Sequence, residues 1–91
     1  MFEGPLTDLI VELLMRSGEV ELHEFMDMLF EECWRRGVIC LKWKIEVDGD
    51  RIRRLCTDAW EIVKALERRG IVRVDEVGGR RIIKVVGSRA R

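Results

Sequence analysis

The residues able to do chemistry in this chain are few. Its soft ligands and nucleophiles are Cys33, Cys40, Cys56 and a single histidine, His23. A structural zinc site needs four such groups at close spacing, yet no CxxC element occurs and His23 lies ten residues before the first Cys. Three thiols cannot all pair within one chain. They read as buried free thiols behaving as small apolar side chains, with a disulfide as the alternative if the cell is hot-adapted. The acidic set Glu24, Asp27, Glu31 and Glu32 could line a hydrolytic metal site, but a solvated helix face explains it more simply. There is no phosphate-cradling glycine loop and no Ser-His-Asp or Cys-His arrangement. The expectation is a protein without catalysis, metal or cofactor. What remains is cationic: the pairs Arg53-Arg54, Arg68-Arg69 and Arg80-Arg81, with Lys64 and Lys84, are groups that neutralise phosphates.

These cations are unevenly placed. Residues 1–50 hold five Lys or Arg against twelve Asp or Glu, a balance of −7, whereas residues 51–91 hold twelve against five, a balance of +7. The net charge of zero therefore hides a division between an acidic first part and a basic second part. Either the two parts neutralise one another as surface ion pairs, or the basic one faces a polyanion.

The elements that must position these groups follow from length and periodicity. A chain of 91 residues with 47% apolar and 37% charged side chains is expected to form one domain, 1–91, with 87–91 a short basic tail. So small a core makes a homodimer an attractive way to extend it. No apolar run is long enough to span a bilayer, and the N-terminus lacks a signal peptide's pattern, so a cytoplasmic protein with no membrane partner is expected. Asn and Gln are absent and only two Ser occur. That loss of thermolabile amides beside abundant charge points to a hyperthermophilic source, archaeal or an archaeal virus.

Leu6, Leu9, Ile10, Leu13 and Leu14 form one helical stripe that Ser17-Gly18 stops. A short extended piece, 19–21, precedes a second helix from Leu22 to Arg36, whose stripe includes Phe25, Met26, Leu29, Phe30, Cys33 and Trp34. Phe25, Met26, Met28 and Phe30 are expected in a core or dimer seam, with Met28 the one that could be exposed. Between 38 and 47 the period falls to two: Ile39, Leu41, Trp43, Ile45 and Val47 alternate with polar or small residues, giving a half-buried strand. Trp43 between Lys42 and Lys44 could stack on a single-stranded nucleic acid, although core packing fits equally well. Asp48-Gly49-Asp50 makes a turn, and helical period returns from about Ile52 to Arg69. Residues 71–86 read as a hairpin turning at Gly78-Gly79.

The run Leu66-Glu67-Arg68-Arg69-Gly70-Ile71-Val72, followed by Arg73 to Val86 with Arg80-Arg81 just past the tip, resembles the winged helix-turn-helix superfamily. The similarity is nearest to the MarR-like branch and covers residues 57–86, about a third of the chain. The resemblance implies an α+β fold of three helices with a C-terminal β-hairpin wing and an extra strand, about 38–47, before the third helix. It further implies a homodimeric transcriptional regulator that lays the helix from Thr57 to Arg69 in the major groove of double-stranded DNA. Arg53, Arg54, Thr57, Asp58, Glu61, Lys64 and Arg68 would then lie on or before the groove-facing side, and Arg80, Arg81 and Lys84 on the wing. The inserted stretch 38–54 departs from the family, which joins these helices tightly, and suggests a dimer interface or a modified scaffold. Trp60 and Glu61 also depart, standing where the family has small or basic residues. Trp60 could pack in the core, pack on the inserted strand, or anchor another protein. The alternative function is accordingly a winged-helix protein-interaction module in a replication, transcription or membrane-remodelling assembly.

Overall fold

A computed structural model describes residues 4–86; the expected basic tail, 87–91, lies outside them. The chain runs α1 (Pro5–Ser17), β1 (Glu19–Glu21), α2 (Leu22–Arg36), β2 (Trp43–Asp48), β3 (Arg51–Cys56), α3 (Thr57–Arg68), β4 (Val72–Val77) and β5 (Arg80–Val85). The fold is α+β, three helices with a small antiparallel sheet ordered β1-β5-β4, and a separate two-stranded hairpin β2-β3. This order is compatible with a winged-helix arrangement. Among the described residues no helix is long and apolar enough to cross a membrane.

The helices meet where their stripes predict. Leu9, Ile10, Leu13 and Leu14 of α1, Leu22, Phe25, Met26 and Leu29 of α2, and Ala59, Ile62, Val63 and Leu66 of α3 are all buried, with Val72 and Ile83 closing the core from the sheet. Met28 is packed against this core rather than exposed. Gly18, at φ 74°, ends α1 by donating its N–H to the carbonyl of Leu14 at 2.8 Å. At the far side Arg36 of α2 bridges back to α1, its Nη1 and Nη2 lying 2.9 and 2.8 Å from the two carboxylate oxygens of Glu12. That fork, reinforced by Glu32, raises the Arg36 pKa and lowers that of Glu12. Glu21 caps α2: its Oε1 accepts from the N–H of Glu24 at 3.1 Å.

The region between α2 and α3 differs from expectation. The helical reading from Ile52 is corrected, because Arg51–Cys56 is a strand and α3 begins only at Thr57. The reversal at Gly49-Asp50, with Gly49 at φ 65°, folds these residues back on β2 in the register Val47↔Ile52, Ile45↔Arg54 and Trp43↔Cys56. Ladder hydrogen bonds thus override a helical spacing that Ile52 and Leu55 happened to share with α3. The insertion is a hairpin rather than one strand, and its first strand starts at Trp43, not Val38.

Its burial differs too. Ile39, Leu41, Ile45 and Val47 are exposed, as is Trp34 in the last turn of α2, at 86%. Only Trp43 of that alternating set packs inward, edge-on to Phe30 at 5.3 Å between ring centroids. A disulfide joins Cys40 to Cys56 across the base of the hairpin, with Cα atoms 6.4 Å apart, within the span a disulfide bridges. The reading of three free thiols is corrected: Cys33 alone is free, and it is buried.

Candidate nucleic-acid interface

The third helix owes its start to Cys56, whose Sγ accepts from the N–H of Ala59 at 3.4 Å, and its direction to the buried stripe 59-62-63-66. Thr57, Glu61, Lys64 and Arg68, spaced i, i+4, i+7 and i+11, therefore share the face turned away from the core. Glu61 and Lys64 pair within that face at 3.4 Å. Asp58 lies to one side in the first turn, where its charge suits the helix dipole.

On the other side of the stripe stands Trp60. It is half-buried against the core, and two cations from different elements lie over its ring: Lys64 Nζ at 5.8 Å and the Arg81 guanidinium, from β5, at 5.7 Å. Trp60 thereby joins α3 to the β4-β5 hairpin, each contact being of cation–π type. The ring in contact with Trp43 of the inserted hairpin is Phe30 of α2.

The β4-β5 hairpin forms because Gly78 and Gly79, at φ 59° and 78°, take the left-handed conformation that a two-residue hairpin turn of type I′ demands. Strand alternation then separates its cations. Arg81 shares the face of buried Ile83, whereas Arg80 and Lys84 point to the opposite face. There Lys84 reaches Asp75 at 3.3 Å, Arg73 reaches the same carboxylate at 3.2 Å, and Arg80 stands 3.9 Å from Glu21. Burial would raise the Asp75 pKa, but Lys84 and Arg73 together hold its carboxyl below the ordinary range.

Arg53 and Arg54 belong to β3, not to the approach of α3. Arg54 lies over the Phe30 ring at 4.6 Å and 3.8 Å from Asp27. Arg53 pairs in register with Glu46 and lines a cleft of about 290 Å³, where Arg51 and Arg80 face Glu21, Glu24 and Asp27. That cleft is charge-balanced by its own walls. The structure thus places Thr57, Glu61, Lys64 and Arg68 on one face of α3 and brings Arg81 to Lys64 across Trp60, whereas Arg53 and Arg54 lie on β3 and Arg80 and Lys84 on the opposite face of β5. By contrast Arg68, Arg69 and Arg81 make no ion pair with a carboxylate among the described residues. Sequence reasoning missed the Arg81–Trp60 contact, which no local pattern announces. It also missed β3, whose residues Arg51–Cys56 have no clean period of two and become a strand through pairing with Trp43–Asp48.

Among the described residues no three His, Cys, Asp or Glu side chains converge as metal ligands would. Comparison with known proteins finds no matching family model, curated protein or solved structure.

Proposed function

We propose that this chain is a winged-helix DNA-binding protein, a homodimeric transcriptional regulator that sets α3 in the major groove of a duplex with the β4-β5 wing beside it. The observation that carries this reading is the convergence of Lys64 and Arg81 on Trp60, because it brings a cation of the third helix and a cation of the β4-β5 hairpin side by side. The order of helices and the β1-β5-β4 sheet support it, since they are what a winged-helix arrangement requires. A helix about 10 to 12 Å across fits the major groove. Lys64, Arg68, Arg69 and Arg81 would displace counterions from phosphates, while Thr57 and Glu61 meet base edges, Glu61 accepting from a cytosine amino group.

Fluorescence anisotropy of a mixed-sequence duplex titrated at several salt concentrations tests this. Binding at micromolar concentration or tighter, weakening steeply as salt rises, is expected; no binding at low salt would overturn the reading. The protein-interaction alternative has its own supporting observation, the exposed apolar side chains Ile45, Val47 and Ile52 of the β2-β3 hairpin.

A further inference from the structure

We propose that the outer edge of β2 is a self-recognition strand, which pairs antiparallel with β2 of a second copy of this chain about a two-fold axis at Ile45. This specifies the homodimer of the preceding reading but does not depend on duplex binding.

The edge is open and its polarity is fixed by the hairpin itself. Among the described residues the sheet β2-β3 has only two strands, so each has one side with no strand beside it. The N–H of Thr57 donates to the carbonyl of Lys42 at 2.9 Å, which makes 42↔57 a hydrogen-bonded pair of the ladder. Bonded pairs alternate along an antiparallel ladder, so Lys44 and Glu46 spend their backbone groups on β3. The N–H and C=O groups of Trp43, Ile45 and Val47 are left facing outward. An edge of this kind is a template for another strand.

The side chains say which strand. Ile45 is 65% exposed, Val47 73% and Ile52 63%, all on the hairpin face that carries Trp43. A two-stranded hairpin presenting such a face is marginal alone. Pairing β2 with itself about Ile45 sets Ile45 against Ile45 of the second copy, Trp43 against Val47, and Lys44 against Glu46. The first two are bonded pairs that use the outward backbone groups. The third is a non-bonded pair, the closer kind, which suits an ion pair made twice by symmetry. Moving the axis one residue either way sets Lys44 against Lys44 or Glu46 against Glu46. The β3 edge offers no equivalent, because an axis at Ile52 sets Arg51 against Arg53 of the copy, one at Arg53 sets Arg53 against Arg53, and one at Arg54 sets Arg54 against Arg54. Both the partner and the register are thus selected by charge. In this arrangement each hairpin tip brings Val47 to the partner copy's Trp43, at the foot of its Phe30 contact.

Sedimentation velocity on the whole chain without nucleic acid, from micromolar to a few hundred micromolar, tests the pairing independently of the duplex reading. The wild type is expected to form a dimer. Lys44→Glu places like charges at both symmetry-related positions and should weaken the dimer about tenfold or more, and Glu46→Lys likewise. An equimolar mixture of the two variants restores opposite charges and should recover a heterodimer near wild-type strength. A monomeric wild type would overturn the proposal, as would single variants that dimerise like the wild type, or folded variants whose mixture gains nothing. Glu46 faces Arg53 in its own hairpin, so Glu46→Lys could impair folding. Lys44 faces Leu55 instead, and Lys44→Glu then decides the matter alone.

Discussion

The guanidinium of Arg54 lies 4.6 Å from the centre of the Phe30 ring, and this contact fastens the inserted hairpin to α2. Trp43 meets the same ring edge-on, so Phe30 holds both strands. Phe30→Ala removes an aromatic pair and a cation–π contact and is expected to cost about 1–3 kcal/mol in a denaturant melt. Hydrogen exchange should quicken in β2 and β3 while the β4-β5 ladder keeps its protection. Equal loosening of both sheets would show that Phe30 is a general core residue instead.

The disulfide between Cys40 and Cys56 closes a separation of 16 residues around that hairpin. A loop of this size gives roughly 3 kcal/mol of stabilisation by restricting the unfolded chain. Cys40→Ser should therefore lower stability by about that amount, and reductant should destabilise the wild type but not the variant. The free thiol is a different case. Burial, with help from Glu32, pushes the Cys33 thiol up, so native-state alkylation should be slow, and Cys33→Ala should leave reductant sensitivity unchanged.

How much of this was legible in the sequence depends on the range of the deciding interaction. Helices α1 and α2 were readable because each carries its own stripe and its own stop, Gly18 or Gly37. The β4-β5 hairpin was readable from Gly78-Gly79. For Arg51–Cys56 the local signal was divided: Ile52 and Leu55 fit a helix, and only pairing with Trp43–Asp48 makes them a strand. Cys40 and Cys56 could not be matched from sequence, since the choice among three thiols is made by the hairpin that brings two together. The candidate interface was half legible. The positions on α3 follow from helical period, but the separation of Arg81 from Arg80 depends on which face of β5 meets the core.

Glu21 supplies a pH dependence whose sign can be worked out. Burial works to raise its pKa, yet backbone N–H groups of His23 and Glu24 and the His23 side chain outweigh it and hold the carboxyl below 4.5. A carboxyl depressed in the folded state binds protons more readily when unfolded, so it stabilises above its unfolded pKa and that contribution is lost as pH falls through the folded one. Stability should be level near neutrality and decline below pH 4.5, with Asp75 and Glu12, also depressed, adding to the decline. Glu21→Gln weakens the cap of α2 and should cost about 1 kcal/mol at pH 7. The gap between variant and wild type should narrow in acid melts; a gap that stayed constant would assign it to packing.

The sharpest test of the duplex reading comes from two neighbouring arginines. Arg80 and Arg81 are adjacent in sequence, yet Arg80 is turned toward Glu21 and Arg81 toward Trp60 on the side of α3. If helix and wing act as one surface, Arg81→Ala should weaken binding to every duplex alike and reduce the salt slope by about 1, and Lys64→Ala should behave similarly. Arg80→Ala and Lys84→Ala, on the far face, should change the slope by much less. Glu61→Ala removes a candidate base contact and also releases Lys64 from its ion pair at 3.4 Å. It should therefore raise affinity for mixed sequence while reducing discrimination among sites. Anisotropy titrations of the five variants and the wild type against two duplexes at matched salt measure all of this. Identical effects of Arg80→Ala and Arg81→Ala would mean that the wing meets the duplex edge-on, and the role given to the Trp60 contact would fall with it.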